Sequence, residues 1–208
     1  QTQFNQTMDW GVRMVLLLGI PAMIGIALLA QPLLMTIFMR GKFLLSDVVA
    51  ASYSLRVMCF GLVSYMMISI LANGFYANQN TKTPVKIGII AAISNICFGL
   101  LAIPFGYIGL AMASALSAAV NATLLYRNLS QQGIYHISKK TIIFTVKLII
   151  AALFMGSILN YLSPNLQEWY SLTLLGRIHW LAWLILLAAI CYFGSLVLLG
   201  LRKKDFSA

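Results

Sequence analysis

The 208 residues are 61% hydrophobic and only 9% charged, with a mean hydropathy of +0.91; a soluble domain has about a quarter of its residues charged, so that class is excluded. The net charge of +10 suits a nucleic-acid binder by sign alone. The basic residues, however, stand at the ends of apolar runs, as membrane topology requires, and no basic stripe with interleaved aromatics is present.

The chain opens on Gln1-Thr2-Gln3-Phe4-Asn5-Gln6, with no initiating Met, basic start or cleavage site, and reads as a piece of something longer. The first apolar run, about 11–38, exceeds the roughly 20 residues that a hydrocarbon core needs. It contains Pro21 and Pro32, which predict a kink near Pro21 and a break or separate turn at Gln31-Pro32, because proline removes a backbone bond and clashes with the preceding turn. After a loop over 40–46, Ser46 is expected to cap the second run, about 47–76, with Asp47 in its first turn suiting the helix dipole.

Residues 73–86 form the only long polar island between two spanning runs. Gly74 and Asn78-Gln79-Asn80 are expected to stop one helix. Thr83 is expected to cap the next, with Pro84 at its first position, where a missing N–H is harmless. Lys82 and Lys86 flank the restart at head-group level. The third run, about 84–103, ends in Pro104-Phe105-Gly106-Tyr107, a turn short enough to make it and the fourth helix, starting at Ile108, antiparallel neighbours. On the fourth, Gly109, Ala113, Ser117 and Asn121 recur every four residues as a stripe of small side chains that admits a close neighbour. A polar segment over 127–140 precedes a fifth run, about 141–162. A loop with Pro164, Glu168 and Trp169 leads to a sixth, about 178–201, and Arg202-Lys203-Lys204 follows. The expectation is an all-α, six-span membrane protein without internal repeats.

Ten basic residues, Arg13, Lys82, Lys86, Arg127, Lys139, Lys140, Lys147, Arg202, Lys203 and Lys204, collect on one side, and three, Arg40, Lys42 and Arg177, on the other. The excess predicts that both ends and the 73–86 island are cytoplasmic. Cys59, Cys97 and Cys191 sit in apolar runs and read as small buried residues. His136 and His179 lack partner ligands, so no metal site is read and no cofactor is implied. The acids Asp9, Asp47, Glu168 and Asp205 all lie near span ends, and no carboxylate pair stands within the membrane for acid–base work. Nothing supports a covalent enzyme.

Arg56 is the one cation of the second span, about nine residues into its helix, or roughly 13 Å along the axis. Two readings stand: it snorkels or pairs with a backbone carbonyl, or it faces a wet cavity and binds an anionic head group through its bidentate fork. Asn95, Ser114, Ser117 and Asn121 offer a similar choice between hydrogen bonds joining packed helices and the lining of a transport cavity.

Gly74-Phe75-Tyr76-Ala77 with Thr81-Lys82-Thr83-Pro84-Val85-Lys86 resembles the loop between the tenth and eleventh helices of the MurJ (MviN) family of lipid II flippases. A second match, Phe38-Met39-Arg40-Gly41-Lys42-Phe43 followed by Asp47, Ser54-Leu55-Arg56 and Gly61-Leu62, lies upstream in the same order. The motifs are dense over about 9–129; beyond that, hydropathy carries the resemblance to about residue 204.

The resemblance implies a fourteen-helix, two-lobe flippase of the multidrug/oligosaccharidyl-lipid/polysaccharide exporter superfamily, with these spans as helices nine to fourteen. Residues 1–130 would be part of the C-terminal transport lobe, and 131–208 two additional helices that help form a groove for the polyprenyl tail. The implied function is flipping of lipid II, an undecaprenyl-pyrophosphate-linked disaccharide peptide, across the bacterial inner membrane by alternating access, for peptidoglycan biosynthesis and cell shape. The partners are that lipid, membrane lipids and the N-terminal lobe of the same polypeptide. Arg56, Asn95, Ser117 and Asn121 become cavity candidates, and Lys82, Thr83, Pro84 and Lys86 the cytoplasmic loop motif. Family members with a cation site pair an Asn at the place of Asn95 with an Asp one turn later, where this chain has Gly99. The family's pyrophosphate-holding arginines lie on helices absent from this sequence. The alternatives are an exporter of another polyprenyl-linked saccharide or of drugs, a polyprenyl-phosphate glycosyltransferase, and a membrane scaffold.

Overall fold

The computed structural model describes residues 2–39 and 42–201; Arg40, Gly41, Arg202, Lys203, Lys204 and Asp205, used above for charge or motif, lie outside the described residues. The described chain is helical throughout: α1 Thr2–Leu28, α2 Ala30–Phe38, α3 Leu45–Ala77, α4 Lys82–Leu101, a single 3-10 turn Ile103–Phe105, α5 Gly106–Gln131, α6 Lys139–Leu162, α7 Leu166–Ser171 and α8 Leu174–Leu198. Six of them, α1, α3, α4, α5, α6 and α8, are long and apolar enough to cross a membrane, as expected. In lipid such helices satisfy every backbone group internally. At 33 residues, α3 is about 50 Å long against a hydrocarbon core of about 30 Å, so it tilts or projects into water.

Pro21, where a kink was expected, lies inside α1. There α1 continues, and the Leu17 carbonyl, which a residue-21 N–H would otherwise have bonded, accepts the Tyr192 hydroxyl of α8 at 2.9 Å. The break comes at Leu29, and Pro32 falls in the first turn of α2, where its missing N–H leaves no gap.

Two starts differ from expectation. Ser46 is not the cap of α3, because the helix already begins at Leu45 and the Asp47 carboxylate accepts the Leu44 N–H at 2.9 Å. Thr83 does not cap α4, which begins at Lys82 with Pro84 in its first turn; Asn80 Oδ1 accepts the Thr83 N–H at 3.2 Å instead. Nor does Gly74 stop α3. It is helical and buried, and a Cβ there would lie 2.9 Å from Met8. The stop is a Schellman-type turn in which Asn80 N–H bonds Phe75 O and Gln79 N–H bonds Tyr76 O. Gln79 takes the left-handed conformation, φ 57°, that glycine usually fills. Hydroxyls cap the last two spans: Ser138 Oγ accepts Thr141 N–H and Thr173 Oγ1 accepts Gly176 N–H. The loop around Glu168 contains the short α7.

Contacts between helices give the directions. α1 and α3 are antiparallel, with Gly11 against Ile70, Gly19 against Val63, and Ala27 against Arg56. α1 and α6 are parallel, with Arg13 at Thr141 and Ile24 at Gly156. α3 and α5 are parallel, with Gly61 on Ala115 and Gly74 on Leu129. The turn at 102–106 folds α4 back onto α5. Two buried apolar clusters result. One joins α1, α2, α3, α6, α7 and α8; the other joins α1, α3, α4, α5 and the 132–138 loop. On α4, Ile89, Ile93, Ile96 and Leu100 are each more than half exposed, a surface suited to lipid or to further protein rather than to water.

Candidate functional site

The loop motif is a folded connector. Lys82 and Lys86 are exposed, Thr83 is half-buried, and Pro84 is buried. Each of the caps described above satisfies backbone groups that the helix ends leave open.

Arg56 lies eleven residues after the start of α3, about 16 Å along the axis. Its Nε donates to the Ala27 carbonyl at 3.2 Å, in the last turn of α1, and its guanidinium carbon is 5.9 Å from the centroid of the Tyr53 ring. The carbonyl pairing weighed from the sequence is therefore present, but it uses one nitrogen of three. Arg56 also lines a cavity of about 230 Å³ between the α1–α2 break, the end of α6 and α7, together with Gln31, Asn160, Ser163, Asn165 and Trp169. No carboxylate among the described residues pairs with it.

The structure does not gather the other candidates around it. Arg56 points to α1, whereas Gly61 and Tyr65, on another face of α3, meet α5 at Ala115 and at the Ser114 carbonyl. Ser117 is buried and donates to Ser114 O within its own helix at 3.1 Å, and Ser114 donates to Leu110 O in the same way. Asn95 on α4 and Asn121 on α5 are half-buried. His136 shares a hydrogen bond with Ser130 at 3.0 Å, and His179 Nδ1 is 2.9 Å from its own helix's Leu175 carbonyl.

An apolar groove of about 330 Å³ runs between α1, α6 and α8. Its walls include Pro21 and Gly25 from α1, Leu29 at the α1–α2 break, Met155 and Leu159 from α6, and Ile185 and Ala188 from α8, with no ionised side chain. A surface of this kind holds a hydrocarbon chain and offers nothing to a polar solute.

Two buried polar clusters escaped the sequence reading. At the end of the spans nearest the 78–81 loop, Asp9 Oδ1 accepts the Tyr135 hydroxyl at 2.6 Å, and Asp9 Oδ2 is 3.3 Å from Arg13 Nη2. Arg13 Nε donates to Thr141 Oγ1 at 2.9 Å. Asp9, Tyr135 and Thr141 are all buried. Burial and the adjacent carboxylate raise the Tyr135 phenol well above its ordinary range, so it remains a donor. At the opposite end Arg177, 8% exposed, donates to the Trp169 and Tyr170 carbonyls at 3.0 and 2.9 Å and ties α7 to α8. The lone basic residues in otherwise apolar runs were the available signal, but charge counting treated both arginines as topology markers.

Residues 1–180 match the family model described as Lipid II flippase MurJ. Over 200 residues the chain is 60% identical to the probable lipid II flippase MurJ of Haemophilus influenzae, covering 96% of this chain and 39% of that one. It is 48% identical to the Vibrio cholerae protein of the same description, covering 99% and 39%. With the lipid II flippase MurJ of Burkholderia cenocepacia it shares 34% identity, covering 98% and 40%. A solved structure, lipid II flippase MurJ in an inward closed conformation, superposes with a TM-score of 0.78 at 22% identity, over 93% of this chain and 38% of that one, and so shares the fold. The chain spans about two fifths of the length of these curated relatives.

Proposed function

The chain belongs to the MurJ family of lipid II flippases, and from that premise we propose that it acts as the C-terminal part of a transporter that moves lipid II from the cytoplasmic to the periplasmic leaflet by alternating access. The observation that carries this reading is the family match over residues 1–180, which takes in both the polar loop motif and Arg56. Residues 1–130 serve as part of the transport lobe and 131–208 as the two added spans. The groove between α1, α6 and α8 supports a lipid-tail role, because it is apolar and opens on a surface that is itself apolar.

The protein is a multi-pass bacterial membrane protein, and in our reading both ends and the 78–81 loop face the cytoplasm. It works without covalent chemistry, by moving an amphiphile whose polar part crosses between lobes while its tail stays in apolar surroundings. Of the four cavity candidates, Arg56 has the strongest claim to a ligand, since its guanidinium keeps donors beyond the one bonded to Ala27. The Ser117 hydroxyl is already engaged within α5.

The test is complementation. The full-length protein containing this segment should sustain growth of a strain depleted of its own lipid II flippase, with labelled lipid II appearing in the outer leaflet. Lysis of that strain despite normal membrane abundance of the protein would refute the reading.

A further inference from the structure

At the end of the spans nearest the 78–81 loop, Arg13 of α1 and Lys140 and Lys147 of α6 line a pocket of about 150 Å³, together with Ile143, Phe144 and Leu201. None of these residues lines the apolar groove or the Arg56 cavity. The charge on the wall is all of one sign. Asp9, the acid at this end among the described residues, is taken up by the Tyr135 hydroxyl at 2.6 Å and by Arg13 at 3.3 Å. Asp47 and Glu168 stand at the opposite end, in the first turns of α3 and α7. Lys140 and Lys147 therefore have no carboxylate partner among the described residues.

The two lysines differ in depth. Lys140 is exposed at the start of α6, whereas Lys147 is half-buried eight residues after that start, about 12 Å along the axis. Topology accounts for cations at span ends but not for one at that depth, where an ammonium is rare unless it faces an anion or water. Lys140, Ile143, Lys147, Ile150 and Phe154 follow one another at three or four residues and share one face of α6. Ile143, Ile150 and Phe154 are each more than half exposed. The face is thus cationic over its first turns and apolar beyond, the order in which a phospholipid presents phosphate and then acyl chain. A basic pocket between spans recognises an anionic head group. The amine of a zwitterionic head group is repelled by the same three cations.

We infer that this pocket holds a resident anionic glycerophospholipid, its phosphodiester at Lys140 and Lys147 in the field of Arg13, and one acyl chain along Ile143, Ile150 and Phe154. This lipid is not cargo. It stays in one leaflet and braces the α1–α6 junction that Arg13 and Thr141 already join. Only the naming of that leaflet, the cytoplasmic one, rests on the orientation proposed above.

The full-length protein in phosphatidylethanolamine nanodiscs, doped with a photoactivatable phosphatidylglycerol or the matching photoactivatable phosphatidylethanolamine, tests this by the labelling of residues 139–154. Near a membrane surface each lysine strengthens the binding of an anionic lipid about fivefold, so the phosphatidylglycerol probe should half-saturate at a mole fraction about 25-fold lower. Lys140→Gln and Lys147→Gln should each lose about fivefold of this preference and their combination nearly all of it, while Lys147→Arg should keep it. The comparison of the two probes on the unaltered protein stands whether or not a variant folds. Inorganic phosphate should compete no better than sodium chloride at the same ionic strength, and lipid II should not displace the probe. Equal half-saturation by the two probes, or a preference that survives the double substitution, would overturn the inference. Displacement by phosphate would do the same by making the ligand a soluble anion, and displacement by lipid II by making the pocket part of the cargo's route. Both leaflets of the nanodisc carry the probe and no transport is read, so neither an inverted orientation nor a failed complementation would change the result.

Discussion

Tyr135 and Asp9 are 126 positions apart in sequence and 2.6 Å apart in space. With Arg13 and Thr141 they fasten the start of α1 to the start of α6. A carboxylate buried to this degree depends on its donors. Tyr135→Phe removes one of them and should lower stability by about 1–3 kcal/mol in detergent melts of the full-length protein. An unchanged melt would show that water replaces the hydroxyl. The pH dependence has a definite sign. Because the phenol's folded value is raised above the ordinary value of 10, its contribution is complete below pH 10 and is lost only as pH rises beyond that. Scans between pH 6 and 9 should therefore show no change in the difference between wild type and Tyr135→Phe. A separate case is Gln79, a non-glycine residue at φ 57°. Gln79→Gly should be neutral or raise stability by up to about 1 kcal/mol, where a glycine in an ordinary helix would lower it.

Between helices, proline and tyrosine act as a pair. Pro21 deprives the Leu17 carbonyl of its helical donor, and Tyr192 supplies another at 2.9 Å. Tyr192→Phe should cost about 1–2 kcal/mol in the native background and clearly less with Pro21→Ala, where residue 21 again donates to Leu17. A double-mutant cycle that closes with no coupling would break the argument. Close approach of α3 to α5 depends on Gly61, where a Cβ would sit 3.1 Å from the Ala115 Cα. Gly61→Leu should lower stability by about 1–3 kcal/mol or more by prying the two apart, visible in the same melts. The number of spans, their approximate bounds and the turn at 102–106 were legible in the sequence, because twenty apolar residues can only be buried in lipid as a helix. The caps were not. Ser46 and Thr83 are good capping types, but Asp47 and Asn80, one to three positions away, accept the Leu44 and Thr83 N–H groups, and the helices begin earlier, at Leu45 and Lys82. The Arg56 cavity was half legible: the residue stood out as the lone cation of its span, while its partners Gln31, Asn160 and Trp169 come from three other helices and share no spacing with it.

For the molecule as a whole, six spans put Lys42, Phe105 and Glu168 on one side and Asn80 and Gln132 on the other. With Cys59, Cys97 and Cys191 replaced, single cysteines at Asn80 and Gln132 should be shielded from an impermeant thiol reagent in intact cells, and those at Lys42 and Glu168 should react. Labelling at Asn80 would invert the topology. The resemblance found in two motifs over the first 129 residues extended correctly to the rest, since the family match runs to residue 180. Over that stretch hydropathy carried the resemblance, because α6 and α8 are apolar on nearly every side and carry no motif of their own.

The groove has one further property. Its walls are riveted at one end by Asp9, Arg13, Tyr135 and Thr141, which join α1 to the start of α6, and midway by Tyr192 on the Leu17 carbonyl, which joins α8 to α1. A channel tied at two heights should keep its shape through the alternating access proposed above, travelling as a sledge rather than gaping and shutting. On the function proposed above, a hydrocarbon lying in it would be ferried without being released and regripped, and only the head would exchange surroundings. Spin labels on α1 and α8 should accordingly report a single, unchanging separation in inward- and outward-facing preparations of the full-length protein. A pair of distances would mean that the rivets part.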